Sequence, residues 1–251
     1  MELVGDLLAR DRRSRDTALV TADGRERSHH DLITNGYKAA NVLRYLGVRE
    51  GATVAVDPTP GFHTTLAFLG AAAVGAPVRF DPAAGIDAGD RVVLAPVATA
   101  AGLDPAPGTN LAAFGGPPER PETTHWEQEL WSENPGTPPS DVEPDDAAIV
   151  GPGREFSHRD LCSLAAAAVE AGGIDAETRV VLRRPFSDSP AVAAGLVAPL
   201  SVGGTAVLAA PTGDGEESDG EPRGDVAVAP ADADVPEPRR IDPASIASTA
   251  E

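Results

Sequence analysis

Apolar and polar positions along the chain alternate between a helical rhythm and a strand rhythm. Leu3, Val4, Leu7 and Leu8 recur at helical spacing, which predicts a helix over residues 3–13. Residues 17–21 (TALVT) read as a strand, and Asp23-Gly24 as a hairpin turn. Ser28-His-His-Asp31 is a capping box: the serine caps, and the acid three residues on reaches back. The helix that follows runs to about Leu46, with Gly47 as its stop. Residues 52–57 (ATVAVD) predict a buried strand. Residues 62–74 predict an Ala/Leu-rich helix ended by Gly75, and residues 77–80 the next strand.

Beyond Asp81 the rhythm weakens. Residues 91–95 (RVVLA) still read as a strand, and residues 111–114 as a possible second one. Residues 117–144 are rich in Pro, Glu, Thr and Ser, and predict an irregular surface connection pinned to the core by Trp126 and Trp131. The opening pattern then returns. Arg154-Glu-Phe-Ser-His-Arg-Asp-Leu161 echoes Arg25-Glu-Arg-Ser-His-His-Asp-Leu32, with Ser157 and Asp160 as the second capping box. A helix to about Ala171, a stop at Gly172-Gly173, a strand at 179–182, a helix at 191–200 and a strand at 205–209 follow. Helix, strand, helix, strand thus occurs twice in one order, the signature of an α/β protein with mostly parallel strands. Duplication and convergence on one α/β grammar both account for it. The charged, Gly-rich stretch 212–223 reads as a solvated loop, residues 225–229 as a last strand, and residues after 236 as a tail with at most one helical turn. The expected organisation is therefore an α/β subdomain over 1–82, an irregular connection with short strands over 83–144, a second α/β subdomain over 145–235, and a flexible tail over 236–251.

Composition narrows the setting. Acidic residues outnumber basic ones 39 to 20, a formal net charge of -19, and Lys38 is the single lysine. An acid-rich, lysine-poor, alanine-rich chain reads as a protein of a high-salt cytoplasm, where ionic strength screens carboxylate repulsion to a few Å. The alternative is an ordinary acidic protein with an acidic tail, but the excess is spread along the whole chain. The same charge argues against nucleic acid and anionic membrane as partners, since phosphate binding needs clustered Lys and Arg. One cysteine, Cys162, allows no internal disulfide. Charges at Glu2, Asp6, Arg10 and Asp11 interrupt any secretory h-region, and no run of about 18 apolar residues exists to span a membrane. The expectation is a cytoplasmic protein. Aromatics are only 4% of the chain, so its core must be built from Ala, Val and Leu.

Several stretches together resemble the large N-terminal part of the AMP-forming acyl-CoA and acetyl-CoA synthetases. They are Ala18-Leu-Val with Gly24-Arg-Glu-Arg-Ser-His-His-Asp-Leu32, the turn into a strand over residues 43–56, and Leu69-Gly-Ala-Ala-Ala-Val-Gly-Ala-Pro-Val78. Glu143-Pro-Asp-Asp-Ala-Ala-Ile-Val150 is similar to the strand that leads into the family's phosphate loop. Ser157-His-Arg-Asp-Leu161 is similar to the helix start after that loop, and residues 197–208 (VAPLSVGGTAVL) to the next unit. No single motif is specific; their order and spacing over residues 2–210 carry the resemblance. It implies two Rossmann-like subdomains with mostly parallel sheets.

Departures from the pattern bear on function. The family holds ATP phosphates with a Ser/Thr/Gly-rich loop ending in Pro-Lys-Gly, whose backbone N–H groups face the phosphates. At that place this chain has only Gly151-Pro-Gly-Arg-Glu155, with no lysine and no hydroxyl. The family's Pro-Leu-Phe-His reads here as Pro185-Phe-Ser-Asp188, and the family's later adenine, ribose and catalytic-lysine motifs are not found in residues 1–251. No catalytic and no metal-binding residues are assigned. His158 and Cys162, four apart on a helix, read as a cap-turn histidine and a small buried thiol, and His29-His30 is no stronger. Gly151, Gly153, Arg154 and Ser157 are the candidates for a small-anion site before a helix N-terminus. The reading is a non-catalytic binding or regulatory module related to the synthetases, with no cofactor and with a possible partner among acyl-CoA enzymes. The alternative is a subunit of a split ligase, which would take ATP or AMP.

Overall fold

A computed structural model of the protein describes residues 1–151, 153–209 and 222–249. The helix predicted over residues 3–13 is instead two 3₁₀ segments, Val4–Leu8 and Arg10–Arg12, the first of which buries Val4, Leu7 and Leu8. The hairpin follows as β1 (Thr17–Val20) and β2 (Glu26–Ser28), with Gly24 at φ 76° in its turn. Helix α1 (His29–Tyr45) starts on the predicted capping box: Ser28 Oγ accepts from the Asp31 amide at 3.1 Å, and Asp31 accepts from the Ser28 amide. Next come β3 (Thr53–Val56), α2 (Phe62–Ala72), β4 (Val78–Phe80) and β5 (Asp90–Pro96). A one-turn helix α3 (Val97–Ala100) leads to β6 (Asn110–Phe114).

Within the connection expected to be irregular, the chain forms a short strand β7 (Thr124–His125) and a helix α4 (Trp126–Ser132). Trp126 is wholly buried and pins this segment, but Trp131 is 88% exposed and pins nothing. The second half continues with β8 (Ala147–Gly151), β9 (Arg154–Ser157), α5 (His158–Gly172) and β10 (Arg179–Leu182). The predicted helix at 191–200 starts earlier, as α6 (Ser189–Val192) capped by Asp188. It passes through a π-turn (Ala193–Val197) into α7 (Ala198–Ser201). Strands β11 (Thr205–Leu208) and β12 (Val226–Val228) follow, while residues 212–221 of the predicted loop lie outside the described residues.

The stretch expected to be a flexible tail is instead ordered from Arg239 to Thr249. It forms β13 (Arg239–Ile241), parallel to β12, and helix α8 (Pro243–Thr249). The physical reason is local. Ile241 and Ile246 are buried, and Arg239 donates to the Gly172 carbonyl at 2.7 Å, satisfying the end of α5. Gly172 leaves the room: a Cβ there would sit 2.6 Å from the Ile241 methyl. Asp242 Oδ1 accepts from the Ala244 amide just ahead of Pro243, a helix start that the tail reading passed over.

Two mostly parallel sheets result, one ordered β13-β12-β10-β11-β1-β2 and the other β7-β6-β5-β3-β4-β8-β9. Apart from β7, the orders correspond strand for strand, with the antiparallel hairpin at the same edge of each. The hairpins are exchanged. β1 pairs with β11 of the second half, and β8 pairs with β4 of the first. No cut at 82/83 or 144/145 therefore leaves both sheets whole. One apolar core runs through both, from Leu19 and Val54 to Val180 and Leu208. Helices α1 and α2 approach closely at Gly70, where a Cβ would lie 2.8 Å from the Ala40 amide nitrogen. Among the described residues no helix is long and apolar enough to cross a membrane.

Candidate functional site

Strand β8 delivers the chain to the carboxyl edge of its sheet, where ligands of open α/β folds gather. It then turns back at once. Gly151 pairs with Arg154, Val150 with Glu155 and Ile149 with Phe156, so only two positions separate the paired ends of β8 and β9. Gly153 sits at φ 82°, a conformation glycine adopts without a Cβ penalty. Pro152 has no N–H to offer an anion.

The start of α5, the natural anion-binding end of a helix, is occupied by the chain itself. The amides of His158 and Arg159 donate to the carbonyls of Asp146 (3.0 Å) and Pro144 (2.8 Å). The Asp160 amide donates to Ser157 Oγ at 3.1 Å, and the Asp160 carboxylate accepts from the Ser157 amide at 2.9 Å. Ser157 is thus a helix cap beside its own carboxylate. His158, wholly buried, accepts from the Val4 amide through Nδ1 at 3.2 Å, and burial holds its pKa below the ordinary value. Burial likewise pushes the Cys162 thiol up to about 11, so it stays protonated at neutral pH.

Gly151 and Arg154 do meet at one pocket. It is an open cavity of about 360 Å³ between the hairpin tip and the loop after β10, and it also includes Phe156, Arg184 and Asp188. Gly153 lies in the turn and Ser157 behind it; neither lines this cavity. The Arg154 guanidinium stacks on the Phe156 ring, 4.6 Å from its centroid. Arg184 donates to Asp188 at 2.8 Å, while the other Asp188 oxygen accepts from the Ala191 amide and caps α6. Two guanidinium groups and one carboxylate thus line the pocket. Phe186, in the same loop, turns inward. It is fully buried, packs edge-on against Phe80 at 5.6 Å and donates its amide to Pro58 at 2.8 Å.

Arg184 is the pocket residue that sequence reasoning missed. Its only signal was a cation right after a strand, beside a segment flagged for another reason. A second polar cluster also escaped notice, because its members come from three elements. Glu127 on α4 bridges His63 on α2 (3.7 Å) and His125 on β7 (3.5 Å), and accepts from the Gly115 amide. Burial pulls the His63 pKa down; Glu127 opposes that and Arg27 reinforces it. His63 Nδ1 has no hydrogen-bond partner among the described residues. Among the described residues no group of three or more His, Cys, Asp or Glu has a metal-holding arrangement.

Comparison with known proteins gives the architecture a context. No family model matches the sequence, and no curated protein matches it. Solved structures do. A benzoate CoA ligase from Burkholderia xenovorans LB400 superposes with a TM-score of 0.72 at 21% identity, over 90% of this chain and 50% of that one. The N-terminal domain of FACL13 from Mycobacterium tuberculosis gives 0.70 at 18% identity, over 85% of this chain and 58% of that one. The anthranilate CoA ligase AuaEII, solved with anthranoyl-AMP, gives 0.69 at 18% identity over 82% and 44%. This chain spans about half the length of those proteins. At such identities the likeness is one of fold, and the chain has the mixed α/β fold of the N-terminal domain of adenylate-forming enzymes.

Proposed function

We propose that this chain is a non-catalytic binding or regulatory module on the acyl-CoA ligase fold, acting with an acyl-CoA enzyme or on an acyl ligand. One observation carries the reading. Where the resemblance places a phosphate loop, β8 and β9 close through two residues, and the first three amides of α5 are already bonded. Adenylation needs preorganised donors around the phosphate that develops charge in the transition state. Two residues between the paired strand ends, one of them by sequence a proline without an N–H, followed by a capped helix start, supply few of them.

The alternative, a subunit of a split AMP-forming acid–CoA ligase, draws support from the pairing of Arg154 and Arg184 at one pocket, which suits a phosphate or carboxylate. An ATP–pyrophosphate exchange assay with a panel of carboxylic acids, in multimolar KCl, separates the two. The module reading expects exchange no faster than a blank. Acid-dependent exchange that disappears in Arg154→Ala would overturn it in favour of the ligase subunit.

A further inference from the structure

A second cavity lies beyond the carboxyl ends of β5 and β6, apart from the pocket at Arg154. Helix α3 forms its floor, the loop after β6 crosses over it, and about 250 Å³ is left between them. Its walls are Val97, Ala98, Ala101 and Pro118, whose short side chains leave the space. With Ala98 and Ala101 exposed the cavity is open on one side, and its volume is enough to seat a benzene-sized body, which an enclosed cavity of roughly 150 Å³ already holds.

Two polar groups at the cavity are unfinished. Thr123 is 6% exposed, and its hydroxyl oxygen is buried with no hydrogen-bond partner among the described residues. A buried hydroxyl left unbonded costs free energy, so the position is ready for a ligand atom. Arg120 donates through Nη2 to the carbonyls of Ala100 (2.6 Å) and Leu103 (2.9 Å), which fixes the loop onto α3 before any ligand arrives. Its Nε and Nη1 donors have no partner among the described residues. The exposed carboxylate of Glu119 at the rim limits the charge the site tolerates.

We propose that this cavity binds a compact monocarboxylic acid, with its apolar body against α3 and Pro118 and its carboxylate accepting from Arg120 and Thr123. The inference does not depend on whether the pocket at Arg154 binds anything.

The test is an amide-resolved NMR titration of the whole chain in KCl with benzoate and, separately, with benzyl alcohol, its uncharged counterpart. Benzoate should saturate with a Kd of about 1 mM, as expected for a fragment-sized ligand. The shifts should centre on residues 97–103 and 118–124, and benzyl alcohol should bind at least about tenfold more weakly, for want of the charge-assisted bonds. Thr123→Val, which keeps the side-chain shape, should weaken benzoate about tenfold while the melting temperature stays level or rises, since a buried unbonded hydroxyl is removed. No saturation by about 10 mM benzoate, equal binding of the alcohol, indifference to Thr123→Val, or shifts centred on residues 151–156 and 184–190 would each overturn the proposal.

Discussion

Gly70 offers a sharp test of how the two opening helices are packed. An alanine there would place its Cβ 2.8 Å from the Ala40 nitrogen and 3.1 Å from both the Ala39 carbonyl carbon and the Ala39 Cβ. The first two are backbone atoms, or held by backbone, and cannot rotate away, so α1 and α2 must separate by several tenths of an ångström. Overpacking of this kind costs about 1–3 kcal/mol. Against it stands the gain in helix propensity from replacing glycine, about 1 kcal/mol. Because the 2.8 Å contact is to backbone, the overpacking cost falls in the upper part of its range, about 2–3 kcal/mol. The balance is therefore a net loss of about 1–2 kcal/mol, and for a chain of this size roughly 2–4 °C of melting temperature per kcal/mol. Gly36→Ala is the internal control. Its Cβ would meet only the Leu8 side chain, at 2.6 Å to one methyl, which can shift at smaller cost. Melting curves of both variants in multimolar KCl should show Gly70→Ala lower by several degrees and Gly36→Ala closer to the parent. A Gly70→Ala protein as stable as the parent, or more so, would refute the close approach of α1 and α2.

Other outcomes follow from the same physical reasoning. Trp126→Ala should cost about 3–5 kcal/mol by denaturant unfolding. Trp126→Phe should cost much less, because the indole N–H has no partner among the described residues to lose, and Trp131→Ala, at an exposed site, should change stability by under about 0.5 kcal/mol. The pKa values of His29, His63 and His158 are all held down mainly by burial, so below the ordinary value near 6.5 the unfolded chain takes up protons that the folded chain refuses. Stability should therefore be full above about pH 6.5 and fall as acid is added toward the lowered folded values. Unfolding midpoints from pH 8 to 5 check this, and a midpoint that rises on acidification would contradict it. With a net charge of -19, melting temperature should climb with KCl as the Debye length shrinks toward about 3 Å at 1 M. A flat salt response would remove the halophilic expectation.

Much of the fold was legible because its signals are local. Ser28 with Asp31 and Ser157 with Asp160 announce their helices by a spacing that a capping box requires. Gly47, Gly75 and Gly173 mark stops that need a left-handed backbone. What the sequence conceals is which strand lies beside which. Nothing in TALVT says that, on the side away from β2, it pairs with residues 205–208, 188 positions on; the exchange of hairpins is a tertiary choice. Trp126 and Trp131 looked alike in a Pro-rich stretch, yet five residues along a helix places them on different faces, one inward and one outward. The end of the chain was misjudged because Ile241 and Ile246 are too few to show a period, although Asp242-Pro243 did mark a helix start. At the candidate site, Gly151 and Arg154 were readable from the missing loop. Ser157 was readable as a cap, and a cap is what it is. Arg184 and the His63–Glu127–His125 cluster depend on elements brought together only by folding.

The central proposal is that the Gly151–Arg154 turn does not serve an adenylating site. The most direct measurement is a calorimetric titration of the chain, folded in multimolar KCl, with ATP, AMP and a non-hydrolysable acyl-adenylate mimic. The account predicts no saturable heat with any of the three. A saturable signal that is lost in Arg154→Ala would mean that the short turn still holds a phosphate, and the account would be wrong at its centre.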